Sequence, residues 1–178
     1  MRRPAPAVRL LLGVILVFTP ACREAPPAGS VTGAGSPLRS LPRGSLPVVS
    51  VVDGDTIHVL RRGRDITVRL IGIDAPEVGW YGGKAECYGA QAGRFARSLM
   101  AEARVTLELD EERLDPYERL LAYVYLDDDR MANVVLVRRG FATVTIYPPN
   151  DRYEERLLAA EDAARADGAG LWSVCRSG

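Results

Sequence analysis

The stretch Arg69-Leu70-Ile71-Gly72-Ile73-Asp74-Ala75-Pro76-Glu77 decides how this chain is interpreted. Its apolar centre is typical of a buried strand, and Pro76, which cannot continue a β-ladder, predicts that the strand ends near Asp74. Arg69 on the strand, with Asp74 and Glu77 on the loop after it, would place charges of both signs at one strand end. Such a group suits a metal ion with an anionic substrate, but also an ordinary surface ion pair, and this stretch alone does not choose between them.

Alternating apolar residues on both sides of this stretch predict a β-rich domain. The pair Asp53-Gly54 is a strong hairpin signal, and it joins the first two strands of a three-strand meander. In the third strand, Ile66, Val68 and Leu70 share the buried face, and Arg69 projects from the other face. The predicted strands are 48–52, 56–60, 65–73, 105–109 and 120–126.

Three helices are also predicted. Apolar residues spaced by three and four mark the first, at about 88–103. The second runs over 131–139 and ends before Gly140, and the third runs to Ala166 after Asn150, which is expected to cap it. Five strands with a helix inserted after the third indicate a β-rich α+β fold, a small closed or nearly closed five-stranded barrel of the OB type with three helices.

Residues 1–22 have the pattern of a secretory signal peptide, with a basic start, the apolar run Leu10–Phe18 and a small residue before Cys22. The run is shorter than the about 20 residues that span a membrane, although an uncleaved anchor is the alternative. Ala21-Cys22 resembles the cleavage box of bacterial lipoproteins, in which the cysteine is lipidated. Thr19 stands where that box prefers leucine, so an ordinary cleaved signal peptide remains the alternative.

The segment 23–45 is rich in Pro, Gly, Ser and Ala, which predicts a flexible linker before a folded domain at 46–175. We expect an exported monomer, secreted or held outside the cytoplasm by a lipid on Cys22, which would be its only membrane contact. Without the first 22 residues the chain has 20 basic against 23 acidic residues. This balance argues against a broadly basic coat for nucleic acid, so a polyanion would have to bind at a local cluster or a metal.

Five motifs, taken together, are informative. In order and spacing they resemble the staphylococcal nuclease (thermonuclease) family, and the resemblance covers about residues 46–173. The motifs are Asp-Gly-Asp-Thr at 53–56, Arg-Leu-x-x-x-Asp-x-Pro-Glu at 69–77, Asp-x-Tyr-x-Arg at 115–119, Tyr-x-Pro-Asn at 147–150 and Leu-Trp-Ser at 171–173.

The resemblance implies calcium-dependent hydrolysis of DNA and RNA phosphodiester bonds by metal-assisted attack of water on an OB-fold barrel. Asp55 and Asp74 would be the calcium carboxylates, and Ala75, where the family archetype has threonine, would lend its backbone carbonyl. Glu77 would be the general base or the carboxylate that orients water. Calcium takes oxygen ligands, and the sequence has no histidine pair or Cys-x-x-Cys motif that would favour zinc.

By the same resemblance, Arg69 and Arg119 would grip the phosphate, and Tyr117 and Tyr147 would line the nucleotide site. The planar guanidinium fork of arginine matches phosphate geometry. Two positions depart from the archetype, which has lysine in place of Pro116 and tyrosine in place of Thr145. These changes bear on substrate affinity and base preference rather than on the reaction.

If Cys22 is lipidated, Cys87 and Cys175 remain in an exported domain, where we expect them to form a disulfide; two free thiols are the alternative. The runner-up to a nuclease is a non-catalytic OB module that binds nucleic acid or protein. A third class is an exported protein that handles DNA at the cell surface. Loss of a site residue is expected in a non-catalytic module, and the proposed set is intact.

Overall fold

The computed structural model describes residues 44–79 and 84–175. The predicted signal peptide, Cys22 and nearly all of the predicted linker lie outside the described residues. Across those two ranges, no helix is both long and apolar enough to cross a membrane. In chain order the described elements are β1 (Leu46–Val51), β2 (Thr56–Arg61), β3 (Arg64–Leu70), β4 (Ile73–Asp74), α1 (Gly89–Met100), β5 (Arg104–Glu108), β6 (Leu120–Leu126), α2 (Ala132–Arg138), β7 (Thr143–Val144), α3 (Glu154–Ala166) and α4 (Leu171–Val174).

Five of these strands form a closed barrel in the order β1-β2-β3-β6-β5, which confirms the predicted OB-type fold. All neighbours are antiparallel except β3 and β6, which pair in parallel. On β3 the buried residues are Ile66, Val68 and Leu70, as the alternation predicts, and Arg69 lies on the other face. The apolar face of β3 is therefore the one that packs in the barrel interior.

The third strand differs from its prediction. It was expected to run unbroken over 65–73, but β3 ends at Leu70, and Ile73–Asp74 forms β4 in a separate two-stranded sheet with β7. The break lies at Gly72, whose φ of 76° is the left-handed region that favours glycine. A Cβ at Gly72 would lie 2.5 Å from Leu157 Cδ1, so the bend also needs a residue without a side chain. Asp74 thus belongs to a short strand rather than to a loop.

The helices follow their predicted order with two corrections. Within the described residues a fourth helix, the single turn α4, follows the three predicted ones. Asn150 does not cap α3, which begins at Glu154 with no side-chain cap. Instead, Asn150 is buried, accepts a hydrogen bond from the Glu112 backbone N–H and donates one to the Glu112 carbonyl. Its amide therefore pairs with both polar groups of the Glu112 backbone, which the sequence pattern of a cap does not reveal.

A disulfide joins Cys87, just before α1, to Cys175, just after α4. This is the pair that the sequence leads one to expect. It spans 88 residues of chain, and in the chain-entropy model a loop of that length contributes about 4–5 kcal/mol of stability. The C-terminal end of the domain is therefore tied covalently to the start of α1.

The β1–β2 hairpin is present, but its glycine is needed for a different reason than the sequence indicates. Gly54 does not have a positive φ, so the connection is not the two-residue turn that Asp-Gly predicts. A Cβ on Gly54 would lie 2.3 Å from the Ala75 Cβ. The hairpin turn thus packs directly against the chain that follows β4, and Gly54 permits the approach.

We predict that Gly54→Ala lowers the free energy of unfolding by about 1–3 kcal/mol because the new methyl group overpacks this contact. Urea unfolding measures the change. Gly44→Ala is the matched control, since a Cβ there meets nothing within 4 Å. Adding Ala75→Gly should restore much of the loss, because it removes the atom that clashes. Equal stability of the two single variants would contradict the packing argument.

Candidate active site

The strand register brings three predicted site residues to one end of the barrel. Thr56 on β2 pairs with Arg69 on β3, which sets Asp55 just beyond Arg69, and the Leu70 N–H donates to the Asp55 carbonyl at 2.9 Å. On the other side of β3, Arg69 pairs with Leu121 of β6. Arg119 lies two residues before Leu121, on the same parity. Three adjacent strands thus place Asp55, Arg69 and Arg119 together.

The Arg69 side chain is the centre of this group, and only 15% of it is exposed. Its Nη1 donates to the carbonyls of Leu70 (3.0 Å) and Ile73 (2.8 Å), which are the carbonyls of the bend between β3 and β4. Its Nη2 donates to Asp74 Oδ1 at 2.9 Å, and its Nε lies 3.2 Å from Asp55 Oδ1. One guanidinium therefore fixes the bend and joins two carboxylates from different elements.

Asp55 is a buried carboxylate held by the backbone across the site. Its Oδ2 accepts from the Ala75 N–H at 2.7 Å, and its Oδ1 accepts from the Thr56 hydroxyl at 3.0 Å. Burial raises the pKa of Asp55 to about 7, although the Arg69 guanidinium opposes this shift, and the charge of nearby Asp53 adds to it. The negative charge at Asp55 is thus incompletely compensated by the protein, a condition that a bound cation would relieve.

Glu77 lies beside this group with an exposed side chain. Partial burial, then the negative charges of Asp53, Glu86 and Asp74, raises the pKa of the Glu77 carboxyl above its ordinary value. A carboxylate with a raised pKa is a stronger proton acceptor at neutral pH. The raised pKa of Glu77 is therefore compatible with its predicted role as a general base.

The donor atoms around Asp55 fit a hard cation. Asp55 and Asp74 meet at one guanidinium, and Ala75, whose carbonyl is the third predicted ligand, is hydrogen-bonded to Asp55. All three groups would offer oxygen, which calcium prefers. Over 44–79 and 84–175, no three His, Cys, Asp or Glu side chains cluster closely enough to hold a metal by themselves. A bound ion would therefore need the backbone carbonyl and water to complete its ligands.

Arg119 is positioned by Asp115 at the turn before β6. The Asp115 carboxylate accepts hydrogen bonds from the backbone N–H groups of Tyr117 and Arg119, both at 2.9 Å, and from Arg119 Nε at 2.5 Å. Burial acts to raise the pKa of Asp115, but these hydrogen bonds outweigh it and hold that pKa below its usual value. The Arg119 guanidinium lies 5.5 Å from the centroid of the Tyr117 ring.

A cleft of about 470 Å³ contains Arg69, Arg119 and both predicted nucleotide-site tyrosines. Tyr117 is 80% exposed and Tyr147 is 71% exposed, which leaves their rings accessible to a ligand. The predicted metal ligands and Glu77 do not line this cleft. Arg69 contacts Asp55 and Asp74, here called the acidic group, and it also lines the cleft. The two parts of the candidate site therefore meet at Arg69.

Sequence reasoning missed two residues that orient the site. Asp115 accepts hydrogen bonds from the backbone N–H groups of Tyr117 and Arg119. The sequence feature that could have indicated this role is an aspartate at the start of a tight turn, where its side chain accepts such hydrogen bonds. Glu86 accepts a hydrogen bond from the Glu77 N–H at 3.0 Å. No local sequence pattern identifies Glu86, which contacts a backbone group nine residues away in the chain.

The closed barrel, with two arginines and oxygen donors at one end, defines an OB-fold domain with a candidate site for an anion and a cation. The profile of the family described as "Staphylococcal nuclease homologue" matches residues 67–174. The thermonuclease of Staphylococcus intermedius is 41% identical over 125 residues, which is 70% of this chain and 74% of that protein. The thermonuclease of Staphylococcus hyicus is 36% identical over 126 residues (71% and 74%). Endonuclease YncB of Bacillus subtilis (strain 168) is 36% identical over 124 residues (68% and 58%). This chain belongs to the staphylococcal nuclease family.

We predict that Asp115→Asn lowers the free energy of unfolding by about 1 kcal/mol near pH 7, because Arg119 loses a charged partner that is only partly shielded from water. The pKa of Asp115 is lower in the folded state, so this stabilisation is complete above the unfolded-state pKa of about 3.9 and is lost as the pH falls through the folded-state pKa. Urea unfolding of both proteins between pH 7 and pH 3 measures the difference. Asp65→Asn, at an exposed carboxylate on β3, is the control, and a difference independent of pH would contradict the assignment.

Proposed function

We propose that this protein is a calcium-dependent nuclease that hydrolyses phosphodiester bonds in DNA and RNA by attack of water. The observation that carries the proposal is the position of Arg69, which contacts Asp55 and Asp74 and also lines the cleft that contains Arg119. Family membership supports it, and relatives at 36–41% identity are named thermonuclease and endonuclease.

Arg69 and Arg119 bind the scissile phosphate. Both guanidinium groups line the same cleft, and planar N–H donors match the geometry of phosphate. Arg69 already donates three N–H groups to acceptors of the protein, so Arg119 supplies most of the donors to the phosphate. Negative charge accumulates on the phosphoryl oxygens as water attacks, and fixed donors stabilise that charge without having to reorganise. Asp115 keeps Arg119 in place and Asp55 keeps Arg69 in place.

Glu77 accepts the proton of the attacking water or orients that water. Its side chain is exposed, and its pKa is raised by partial burial and by its acidic neighbours. The raised pKa brings the proton affinity of this carboxylate nearer to what proton transfer at neutral pH requires. Arg69 is close enough to oppose this pKa shift, so the base and one phosphate-binding group act within the same local field.

Asp55, Asp74 and the Ala75 carbonyl would hold calcium. When bound, the ion supplies Lewis-acid polarisation of the phosphoryl oxygen and a template for the substrate. The burial of Asp55 and its raised pKa support this assignment. The Asp55 and Asp74 carboxylates would then each bind the metal ion as well as the Arg69 guanidinium.

Tyr117 and Tyr147 bind the nucleotide through their exposed rings, because base and sugar can stack on an aromatic face. Pro116 and Thr145 also line the cleft. These are the positions at which the sequence departs from the family archetype, so base preference is where this protein should differ from a typical relative.

We further propose the arrangement around the domain: a signal peptide over 1–22, a flexible linker over 23–45 and export of a monomeric nuclease domain over 46–175. Lipidation of Cys22 would hold that domain at a membrane surface. The alternative function is a non-catalytic OB module at the cell surface. The intact set of Arg69, Glu77 and Arg119, with Asp55 and Asp74, favours the enzyme.

Nicking of supercoiled plasmid DNA tests the proposal. Cleavage should require calcium and stop with EGTA, and Glu77→Gln should slow it about 10²–10⁴-fold, because the amide cannot accept the proton of water. Single-stranded RNA is assayed in parallel as the second proposed substrate. Glu111→Gln, an exposed glutamate between β5 and β6, is the matched control. Equal cleavage with calcium, with EGTA and by Glu77→Gln would refute the mechanism.

A further inference from the structure

The backbone of Glu77 is held from one side by Glu86. The Glu77 N–H donates to Glu86 Oε2 at 3.0 Å, and the Glu86 N–H donates to the Glu77 carbonyl at 3.0 Å. These two hydrogen bonds fix both polar groups of the Glu77 main chain. Residues 75–79 form no helix or strand, so Glu86 replaces the regular ladder that would otherwise hold a catalytic side chain in place.

Gly89, the first residue of α1, packs directly against the backbone of Glu77. A Cβ on Gly89 would lie 2.1 Å from the Glu77 carbonyl oxygen, so the start of the helix rests against Glu77 with no room for a side chain. The Gly89 N–H in turn donates to the Glu86 carbonyl at 3.1 Å. Glu77, Glu86 and Gly89 therefore form one compact unit.

Cys87 lies between Glu86 and Gly89 in the chain, and it forms a disulfide with Cys175. The Cys175 N–H donates to the carbonyl of Leu171, and the Leu171 N–H donates to the carbonyl of Gly140. Leu171 is buried. The disulfide thus connects the unit around Glu77 to a tail that is anchored on the domain.

We propose that Glu86, Cys87, Gly89 and Cys175 form a brace, here called the Glu77 brace, that holds the Glu77 carboxylate in its reactive position. Glu86 is then a positioning residue, and the turnover rate depends on the Cys87–Cys175 disulfide being formed. The proposal rests on the proposed function of Glu77 as a base. A base displaced by about 1 Å can lose much of its effect, so release of the brace should lower kcat. Phosphate binding by Arg69 and Arg119 does not involve the brace, so KM should not change.

The first test uses steady-state cleavage of a short fluorescent DNA oligonucleotide with saturating calcium. Glu86→Ala should lower kcat about tenfold, with KM unchanged, because the Glu77 N–H loses its acceptor. Glu86→Gln should retain most of the activity, since its amide oxygen can still accept that hydrogen bond. It also removes the charge of Glu86, so an equal loss in both variants would identify a charge effect and overturn the proposal. Glu111→Ala is the matched control.

A double-mutant comparison separates positioning from a general loss of structure. In a Glu77→Gln background, Glu86→Ala should have no further effect on kcat, because its action passes through the Glu77 side chain. A tenfold loss that persists in that background would overturn the proposal. Cys87→Ser/Cys175→Ser should also lower kcat with KM unchanged. A folded double-serine variant with full activity would contradict the part assigned to the disulfide, and if that variant does not fold, the Glu86 variants decide.

Hydrogen exchange of the Glu77 amide tests the brace without any assay of cleavage. Exchange should be slow in the wild type and faster in Glu86→Ala and after reduction of the disulfide. Equal exchange rates in all three would overturn the brace. A wild-type protein that shows this protection and yet cleaves no nucleic acid with calcium would refute the proposed function while leaving the brace in place, so the two failures are distinguishable.

Discussion

The Arg69 guanidinium is the interaction on which the rest of this structure depends. Only a small part of it reaches solvent, and its acceptors are two carbonyls of the β3–β4 bend and the carboxylates of Asp74 and Asp55. A largely buried cation needs such partners, because an unpaired charge in a protein interior is costly. The β1–β2 hairpin, β3 and β4 must all be in place before the acceptors converge. The acceptors of Arg69 therefore converge only where these three elements pack together.

Much of the barrel could be predicted from the sequence, because strands such as β3 bury every second residue and the connections carry turn or helix signals. The break in the third strand could not, since the apolar run continues through Ile71 and Ile73, and only tertiary packing against Leu157 shows why Gly72 bends there. Asn150 has the pattern of a helix cap but is buried against Glu112. In both cases a contact with a distant segment overrides the local preference.

For the proposed site, the motifs predicted the residues, and the structure supplied the relations between them. The pairing of Arg69 with both Asp55 and Asp74 follows from the strand register and the bend, which the motifs do not encode. Asp115 stands in one of the motifs but received no role there, and Glu86 stands in none. Both accept hydrogen bonds from backbone N–H groups, which a motif does not reveal. The acidic group and the tyrosine-lined cleft meet at Arg69, which gives one residue a structural and a functional role.

The most direct measurement of the central claim is isothermal titration of calcium into the protein and two variants. The account predicts one calcium site in the wild type, loss of that site in Asp55→Asn, and unchanged binding in Asp128→Asn, where the exposed carboxylate forms a surface pair with Arg130. Calcium binding that is the same in the wild type and Asp55→Asn would contradict the account. So would the absence of binding in the wild type, because the account assigns a calcium ion to Asp55, Asp74 and the Ala75 carbonyl.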